Sequence, residues 1–292
     1  MFAGVHTALI TPFRKNKIDT ATFKRVIDAN FEGGVAGIVP CGTTGESPTL
    51  THEEHQAVIA LAIRHARGRG PVIAGTGSNS TAEAVSLTRA AEKAGADASL
   101  QVCPYYNKPS QEGLYQHFRT VAKATSLPII LYSIPGRSGI EISVETAARL
   151  AADCKNIVAM KEAGGSVERV SQLIAACPAH FEVLSGDDSL TLAFMSVGAV
   201  GVISVASNVV PGPMSELVRH ALAGRYDEAL AVHKKYYRLF SAFLKLDTNP
   251  VPIKAAVSLA GFGAPDLRLP MVGLDAARTE TLRKTLKALR II

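Results

Sequence analysis

The chain has 292 residues, of which 47% are hydrophobic and 19% are charged, and its formal net charge is +6. This composition suffices for a large buried core and excludes a disordered chain. No apolar run is long enough for a transmembrane helix, and the first residues lack a secretory signal pattern, so we expect a cytoplasmic protein with no membrane contact. The basic residues are scattered, which argues against a nucleic-acid partner despite the high pI.

Eight short runs of strand-forming residues recur along the chain. They begin near Val5, Gly37, Pro71, Ala98, Pro128, Ile157, Phe181 and Gly201. Most are continuously apolar, as in parallel strands buried on both faces. Helical segments separate them, and capping boxes at residues 51–54 and 80–83 mark two helix starts, while Gly33, Gly34 and Gly95 mark helix ends. Eight strand–helix units predict an α/β fold, a (β/α)₈ TIM barrel, over residues 1–224.

The pattern becomes helical after residue 224. Candidate helices at Tyr226–Lys245, Val251–Leu259 and Ala276–Leu289 predict a C-terminal helical appendage over residues 225–292. A doubly wound sheet is the alternative fold, but it requires a glycine fingerprint after the first strand. The sequence GTGSNS at 75–80 follows the third strand and lacks the third glycine, so we predict no dinucleotide cofactor.

The sixth predicted strand ends at Lys161, and barrel active sites lie at the carboxyl ends of the strands. Burial disfavours the charged form of an amine, and a neutral amine attacks a carbonyl to form a Schiff base. The alternative is a structural lysine paired with Glu162 or with a carboxylate on a neighbouring strand. Position alone does not separate these two interpretations.

A Schiff base with a 2-keto acid also needs a carboxylate site and a proton relay. The turn at 42–45, with Thr43 and Thr44, offers free N–H groups and two hydroxyls to an anion. Tyr132 and Tyr106 are candidates for the relay. Arg137 follows the fifth strand and is placed to bind a second carboxylate.

The chain resembles the dihydrodipicolinate synthase family, which belongs to the pyruvate-dependent N-acetylneuraminate lyase superfamily. The matching motifs are GTTGES at 42–47, PYYNKPSQEGLYQHF at 104–118, LYSIPGRSGI at 131–140, KEAGG at 161–165, LSGDD at 184–188, GVISV at 201–205, NPVPIK at 249–254 and LRLPM at 267–271. The resemblance implies condensation of pyruvate with L-aspartate 4-semialdehyde to 4-hydroxy-tetrahydrodipicolinate, the first committed step of the diaminopimelate route to lysine.

The resemblance also implies catalytic roles for four residues. Lys161 would form the imine with pyruvate, and Tyr132 would be the general acid and base beside it. Thr43 would link Tyr132 to Tyr106, which in this family reaches in from the neighbouring subunit. The family is commonly a homotetramer built from two tight dimers. The iminium acts as the electron sink, so neither a metal nor another cofactor is expected.

Four further residues would bind substrate on the same resemblance. Thr44 would hold the pyruvate carboxylate, and Arg137 would bind the carboxylate of aspartate semialdehyde. The backbone at Gly186 and Ile203 would line the pocket. Two positions depart from the family pattern: Ser133 replaces the usual Asn, and Gly164 replaces the usual Thr or Ser.

The segment HEEH at 52–55 places two histidines on one helix face, but no HExxH spacing and no third ligand support a metal site. A solvated helix start is the simplest interpretation. The resemblance implies another, feedback inhibition by lysine at a dimer-interface site. The residues that match this site are Ser47, His52, His55, Asn79, Glu83 and Tyr105.

Two alternatives remain open at the sequence level. One is another activity of the superfamily, N-acetylneuraminate lyase or an aldolase of 2-keto-3-deoxy sugar acids. Arg137 and the Tyr105–Tyr106 pair favour a small dicarboxylic product over a polyhydroxylated sugar. The other is a catalytically inactive barrel that only binds a ligand or a partner.

Overall fold

Eight parallel strands form a barrel in the computed structural model, which describes residues 1–292. In chain order the strands are β1 (Gly4–Ala8), β2 (Gly37–Val39), β3 (Ile73–Gly75), β4 (Ala98–Val102), β5 (Ile129–Ser133), β6 (Ile157–Glu162), β7 (Glu182–Ser185) and β8 (Gly201–Ser204). Strand β1 pairs with β8, and a single parallel bridge from Ile38 to Val72 joins β2 to the start of β3. The ring of strands is therefore nearly continuous, and the predicted barrel is confirmed.

Helices surround the barrel and continue into the C-terminal region. They are α1 (Thr20–Glu32), α2 (His52–Ala66), α3 (Thr81–Ala94), α4 (Gln111–Lys123), α5 (Pro135–Ser138), α6 (Val144–Asp153), α7 (Val167–Ala176), α8 (Thr191–Ser196), α9 (Pro211–Leu222), α10 (Tyr226–Lys245), α11 (Val251–Leu259) and α12 (Ala276–Ala288). A two-stranded antiparallel ribbon, Phe13–Arg14 with Lys17–Ile18, follows β1. None of the helices is both long enough and apolar enough to cross a membrane.

Side-chain alternation along the strands decides which residues face the barrel interior. Ala159 and Ile130 belong to the cluster that fills the barrel, whereas Met160 belongs to the larger core between strands and helices. Because the side-chain period is two, Lys161 follows Ala159 into the interior and Tyr132 follows Ile130. The two chemically important side chains therefore reach the same mouth of the barrel from adjacent strands.

One of the two predicted capping boxes is complete and the other is not. At α2, Thr51 accepts from the amide of Glu54, and the Glu54 carboxylate accepts from the amide of Thr51. At α3, Ser80 caps the amide of Glu83, but the Glu83 carboxylate does not return to Ser80. It bonds to two other side chains instead, so the second box is wrong and this carboxylate belongs to a different cluster.

The glycines after α1 serve two different purposes. Gly34 has a φ of 83°, and Gly95 at the end of α3 has a φ of 91°, so both occupy the left-handed region that favours glycine. Gly33 has an ordinary φ of −76°, so it ends the helix without the left-handed conformation that glycine often adopts there. A Cβ at Gly33 would lie only 2.5 Å from the Cγ of Pro211, so close packing against α9 requires glycine there.

The C-terminal helices pack against the barrel and reach its mouth. Helix α10 lies along α9, and the segment that begins α11 contacts the turn after β2 through Asn249 and Lys254. The three predicted helices are present, and only the last differs, ending at Ala288 rather than Leu289. The domain boundary between residues 224 and 225 stays a prediction.

Two buried histidines make the stability of the fold depend on pH. Burial lowers the pKa of both His6 and His117 to about 4, and a hydrogen bond to the Phe2 carbonyl only partly opposes the shift at His6. The unfolded chain binds these protons below about pH 6.5, and the folded chain binds them only near pH 4. Unfolding therefore takes up protons in this window, and stability is lost as the pH falls from 6.5 towards 4.

The substitution His117→Asn is expected to weaken this pH dependence. An asparagine amide can keep the contact that His117 Nδ1 makes with the Thr81 hydroxyl, 2.9 Å away, but it does not titrate. The loss of unfolding free energy between about pH 6.5 and 4.5 should shrink by about 2 kcal/mol relative to the unsubstituted chain. Urea unfolding at both pH values and one protein concentration measures this difference, and equal losses in the two proteins would contradict it.

Candidate active site

Lys161 and Tyr132 lie side by side at the carboxyl ends of β6 and β5. The two residues are paired in the parallel register, and Lys161 Nζ lies 4.2 Å from the centroid of the Tyr132 ring. Each residue is only 5% exposed. No carboxylate lies within ion-pair distance of Lys161. The amine is therefore buried against an aromatic face without a counter-ion.

The alternative that pairs Lys161 with Glu162 is wrong. Glu162 points to the opposite face of the sheet, where its Oε2 lies 2.9 Å from Nε of Arg169 on α7. Burial raises the pKa of Glu162, and the Arg169 charge opposes this rise. The side-chain alternation of β6 thus separates a structural ion pair on the outside from a free amine on the inside.

Gly186, on the turn that follows β7, leaves room for the Lys161 side chain. A Cβ at Gly186 would lie 3.1 Å from Cε of Lys161 and 2.6 Å from Cβ of Ala163. The Gly186 amide donates to the Glu162 carbonyl at 2.7 Å, which fixes the turn beside β6. Any side chain at this position would displace the lysine or the turn.

The turn after β2 presents Thr43 and Thr44 to the mouth. It forms a short 3₁₀ helix, Thr43–Gly45, in which Gly45 donates to the Gly42 carbonyl and Glu46 to the Thr43 carbonyl. The amides of Thr43 and Thr44 remain for a ligand, as in an anion-binding nest. Thr44 is buried, and its Oγ1 accepts a hydrogen bond from Nδ2 of Asn249 at 3.1 Å.

Thr43 and Tyr132 line one small cavity, but they are not hydrogen-bonded to each other. The cavity measures about 30 Å³, enough for a water molecule. Its lining residues are Cys41, Gly42, Thr43, Ser47, Gly75, Gly77, Leu100, Val102 and Tyr132. The structure therefore brings these two relay candidates together around a small cavity rather than through a direct contact.

Arg137 lies on the short helix α5 that follows β5. It is exposed, and its guanidinium donates to the main-chain carbonyl of Asn249 at 2.9 Å. Asn249 thus touches Arg137 with its carbonyl and Thr44 with its side chain. Sequence reasoning assigned no role to Asn249, although it begins the NPVPIK motif. Its contact with Thr44 spans 205 positions of the chain, a distance at which local patterns carry no signal.

Tyr106 is not brought to the site of its own chain. It is 90% exposed on the loop after β4 and has a φ of 75°, a conformation that non-glycine residues rarely adopt. Neighbouring Tyr105 is 36% exposed. A large aromatic side chain held outward in this way is available to a second subunit.

Ile203 and the residues that follow it are fixed by a buried carboxylate. Ile203 itself is fully buried and faces the barrel interior. Asp188 accepts from the amides of Val205 and Ala206 at 3.1 and 2.8 Å, and burial raises its pKa to about 6. The Asp188 side chain therefore holds the β8 end in place beside Gly186.

The two departures from the family pattern lie next to the site without entering it. A Cβ at Gly164 would lie 2.6 Å from Oε1 of Glu162, which already accepts from the Gly164 amide. Glycine therefore lets the Glu162 carboxylate sit directly over this turn. Ser133 is fully buried, and its hydroxyl has no hydrogen-bond partner.

The residues matched to a lysine site form a second cluster, between the starts of α2 and α3. His52 Nε2 lies 2.7 Å from Oε1 of Glu83, and Asn79 donates to the Tyr105 carbonyl at 3.1 Å. Glu83 also accepts from the hydroxyl of Ser78, which holds the pKa of the Glu83 carboxyl below its usual range. His55 is buried one turn along α2 from His52.

Ser47 connects this second cluster to the site. It belongs to the turn after β2 and lines the same small cavity as Thr43 and Tyr132. All six matched residues therefore lie on one side of the barrel mouth. No three His, Cys, Asp or Glu side chains are grouped to hold a metal ion.

Comparison with known proteins identifies the family. A sequence model of the Dihydrodipicolinate synthetase family matches residues 1–289. The chain belongs to the dihydrodipicolinate synthetase family. It is 50% identical over 288 residues to the 4-hydroxy-tetrahydrodipicolinate synthase of Sulfurihydrogenibium sp. strain YO3AOP1, with 98% of each chain covered.

Solved structures of this family superpose closely on the chain. Dihydrodipicolinate synthase from Acinetobacter baumannii complexed with pyruvate is 43% identical, with a TM-score of 0.97 and all of both chains covered. The enzyme from Cyanidioschyzon merolae with lysine bound is 40% identical, with a TM-score of 0.96, covering 100% of this chain and 99% of that one. The predicted dihydrodipicolinate synthase activity is thereby confirmed, and the sugar-acid lyase alternative finds no support in these relatives.

Proposed function

We propose that the chain condenses pyruvate with L-aspartate 4-semialdehyde to 4-hydroxy-tetrahydrodipicolinate through a Schiff base at Lys161. The observation that carries this assignment is the buried Lys161 amine, which has no counter-ion and lies against the Tyr132 ring at the barrel mouth. A buried amine that no carboxylate engages is free to attack the carbonyl carbon of a bound keto acid.

The chemistry proceeds by addition, proton transfer and ring closure. The Lys161 amine adds to C2 of pyruvate and releases water to form an iminium, which makes the methyl protons acidic. Loss of one proton gives an enamine whose carbon attacks the aldehyde of the second substrate. The amine of that substrate then attacks C2, closes the ring and displaces Lys161. The iminium takes up the electron pair when the methyl proton leaves and again when the second amine adds. In the carbon–carbon bond-forming step the aldehyde oxygen takes up the pair and a proton, so the mechanism calls for no metal.

The surrounding residues supply the proton transfers and hold the two carboxylates. Tyr132 is the general acid and base, because its ring already lies against the Lys161 amine. Thr43 connects it across the small cavity to the relay. The nest with Thr44 binds the pyruvate carboxylate, and Arg137 binds that of aspartate semialdehyde.

Two main-chain positions and a second subunit complete the proposed site. The backbone at Gly186 and Ile203 lines the pocket, with Gly186 beside the lysine and Ile203 two strands away on β8. Tyr106 joins the relay of a neighbouring subunit, which agrees with its outward conformation and 90% exposure. The active unit is therefore at least a dimer, and we assign a homotetramer of two such dimers. A cytoplasmic location and the first committed step of the diaminopimelate route to lysine complete the proposal.

Borohydride trapping tests the proposed function. The protein is incubated with pyruvate, reduced, digested and mapped by mass spectrometry. The expected result is a reduced pyruvyl adduct on the peptide containing Lys161. In a separate, unreduced sample, addition of pyruvate and aspartate semialdehyde is expected to give turnover. Absence of an adduct in folded protein would reject Schiff-base chemistry and favour a barrel that only binds a ligand.

Lysine is the proposed effector of the second cluster. The charged Glu83 carboxylate is the group that an ammonium requires, and His52 and Asn79 provide polar contacts around it. The cluster abuts the Ser47 turn, so a bound lysine would act on the same small cavity as the relay. The lysine-bound relative agrees with this assignment.

The substitution Glu83→Gln is expected to raise the lysine concentration for half-inhibition roughly 10- to 100-fold, because a charge-assisted hydrogen bond to the ammonium is lost. A lysine titration of initial rates measures it. Glu92→Gln, on the same helix and away from the cluster, is the matched control and should leave inhibition unchanged. Insensitivity of the unsubstituted enzyme to millimolar lysine would reject the effector site.

A further inference from the structure

A buried ion pair behind the Thr43–Gly45 turn takes no part in the chemistry above. Glu46 directly follows the turn, and Lys254 lies on α11; they are 3% and 1% exposed. Lys254 Nζ donates to Oε1 of Glu46, and the backbone amide of Arg268 donates to Oε2 at 3.1 Å. Both carboxylate oxygens are therefore bound by groups from the C-terminal region.

A buried ion pair of this kind contributes little net stability, because removing both charges from water costs free energy. Burial lowers the pKa of Lys254, and the Glu46 charge opposes that shift. Lys254 Nζ also lies 4.1 Å from the centroid of the Phe13 ring, and Glu46 is its one hydrogen-bond partner. Replacing such a pair by apolar residues is often neutral or stabilising. A buried pair of this kind therefore calls for a function other than stability.

The pair and Asn249 connect α11 to the same turn at two points. Asn249 precedes Lys254 by five positions and bridges Thr44 and Arg137, at 3.1 and 2.9 Å. Glu46 follows Thr44 by two positions and is held by Lys254. Thr44 and Arg137, the two proposed carboxylate-binding groups, thus both contact Asn249, which lies just before α11.

The backbone at Glu46 strengthens this connection. Its φ of 55° and ψ of 37° lie in the left-handed region, where a non-glycine residue is held only when its surroundings impose the conformation. The side-chain contacts to Lys254 and to the Arg268 amide impose it here. Releasing the carboxylate frees the turn that carries the Thr43 and Thr44 amides.

We propose that Lys254 is a positioning residue: through Glu46 it holds α11 against the Thr43–Gly45 turn and so keeps Asn249 between Thr44 and Arg137. This inference rests on the substrate-binding roles that the proposed function gives to Thr44 and Arg137. Lys254 touches neither substrate, and its effect is on the geometry of the two carboxylate sites.

The test compares Lys254→Met with the double variant E46Q/K254M. The single change leaves the Glu46 charge buried alone, whereas the double change leaves no buried charge and should melt close to the unsubstituted protein. Misplacement of binding groups by about 1 Å lowers kcat/KM by about 100-fold. For the double variant we expect kcat/KM to fall by about 10- to 100-fold, with KM for both substrates raised and the Lys161 adduct with pyruvate still trapped.

Hydrogen exchange provides a readout independent of turnover. In the double variant, the peptides covering residues 42–50 and 249–254 should both exchange faster, because each is held by the other. Glu46→Gln alone leaves the buried Lys254 charge without its counter-ion, so these peptides should exchange at least as fast in it as in the double variant. Asp28→Asn removes a carboxylate paired with Arg69 and His65 away from the mouth, and as a control it should change neither readout.

Each outcome bears on one of the two proposals. Unchanged KM values and unchanged exchange in E46Q/K254M would reject the positioning role, as would a loss confined to kcat. Faster exchange in only one of the two peptides would also reject it. Absence of a pyruvyl adduct in the unsubstituted protein would reject the proposed function instead, and exchange would still decide whether Lys254 couples α11 to the turn.

Discussion

Replacing Lys161 by methionine is expected to abolish the borohydride-trapped pyruvyl adduct and to lower kcat by at least about 10⁴-fold. The nucleophile is lost, and losses of this order follow removal of a covalent nucleophile. Methionine is also apolar and similar in length, and Lys161 has no counter-ion to leave unpaired. The variant should therefore unfold at the same denaturant concentration as the unsubstituted protein or a higher one.

Lys155→Met is the matched control for this experiment. Lys155 is an exposed lysine just before β6, so the same chemical change is made outside the barrel. It should leave both the adduct and kcat unchanged. A pyruvyl adduct that persists in Lys161→Met would move the Schiff base to another lysine and overturn the assignment.

Tyr132→Phe is expected to lower kcat by about 10²- to 10⁴-fold, the range for loss of a general acid–base group. Phenylalanine keeps the ring that packs against Lys161 Nζ, so only the hydroxyl is removed. The lysine should still form an adduct with pyruvate, but more slowly, since imine formation and enamine formation both move protons. Stopped-flow measurement of imine formation and steady-state kinetics separate these two steps.

Tyr115→Phe is the matched control, because it also removes only a tyrosine hydroxyl. Tyr115 is also 5% exposed, but it lies on α4, and its hydroxyl donates to Asp153 at 2.7 Å. This change should cost about 1 kcal/mol of stability and leave kcat unchanged. Equal kcat in Tyr132→Phe and Tyr115→Phe would show that the Tyr132 hydroxyl is not the acid and base.

The sequence was sufficient for the fold and for much of the barrel mouth. The eight apolar runs repeat at nearly regular intervals, and side-chain alternation within a run decides that Lys161 faces inward. Such local patterns need no knowledge of the rest of the chain. A local motif can also mislead. The position of Glu83 fits a capping box, but its carboxylate bonds to His52 and Ser78 instead.

Contacts between distant segments were out of reach. The bonds from Asn249 to Thr44 and from Lys254 to Glu46 join residues 205 and 208 positions apart. Nothing in the NPVPIK motif by itself indicates which strand end it meets. Tyr106 itself adopts a left-handed backbone conformation in its loop, which tyrosine does not favour. The position of its side chain was therefore likewise out of reach of local sequence patterns.

The contacts of the C-terminal region with the mouth also bear on synthesis of the chain. All eight strands are complete by Ser204, yet Asn249, Lys254 and Arg268 are added only later. A nascent chain on the ribosome can therefore form its barrel before the carboxylate sites are held in place. On the positioning proposal, the two carboxylate sites reach their final geometry only after translation has passed Arg268.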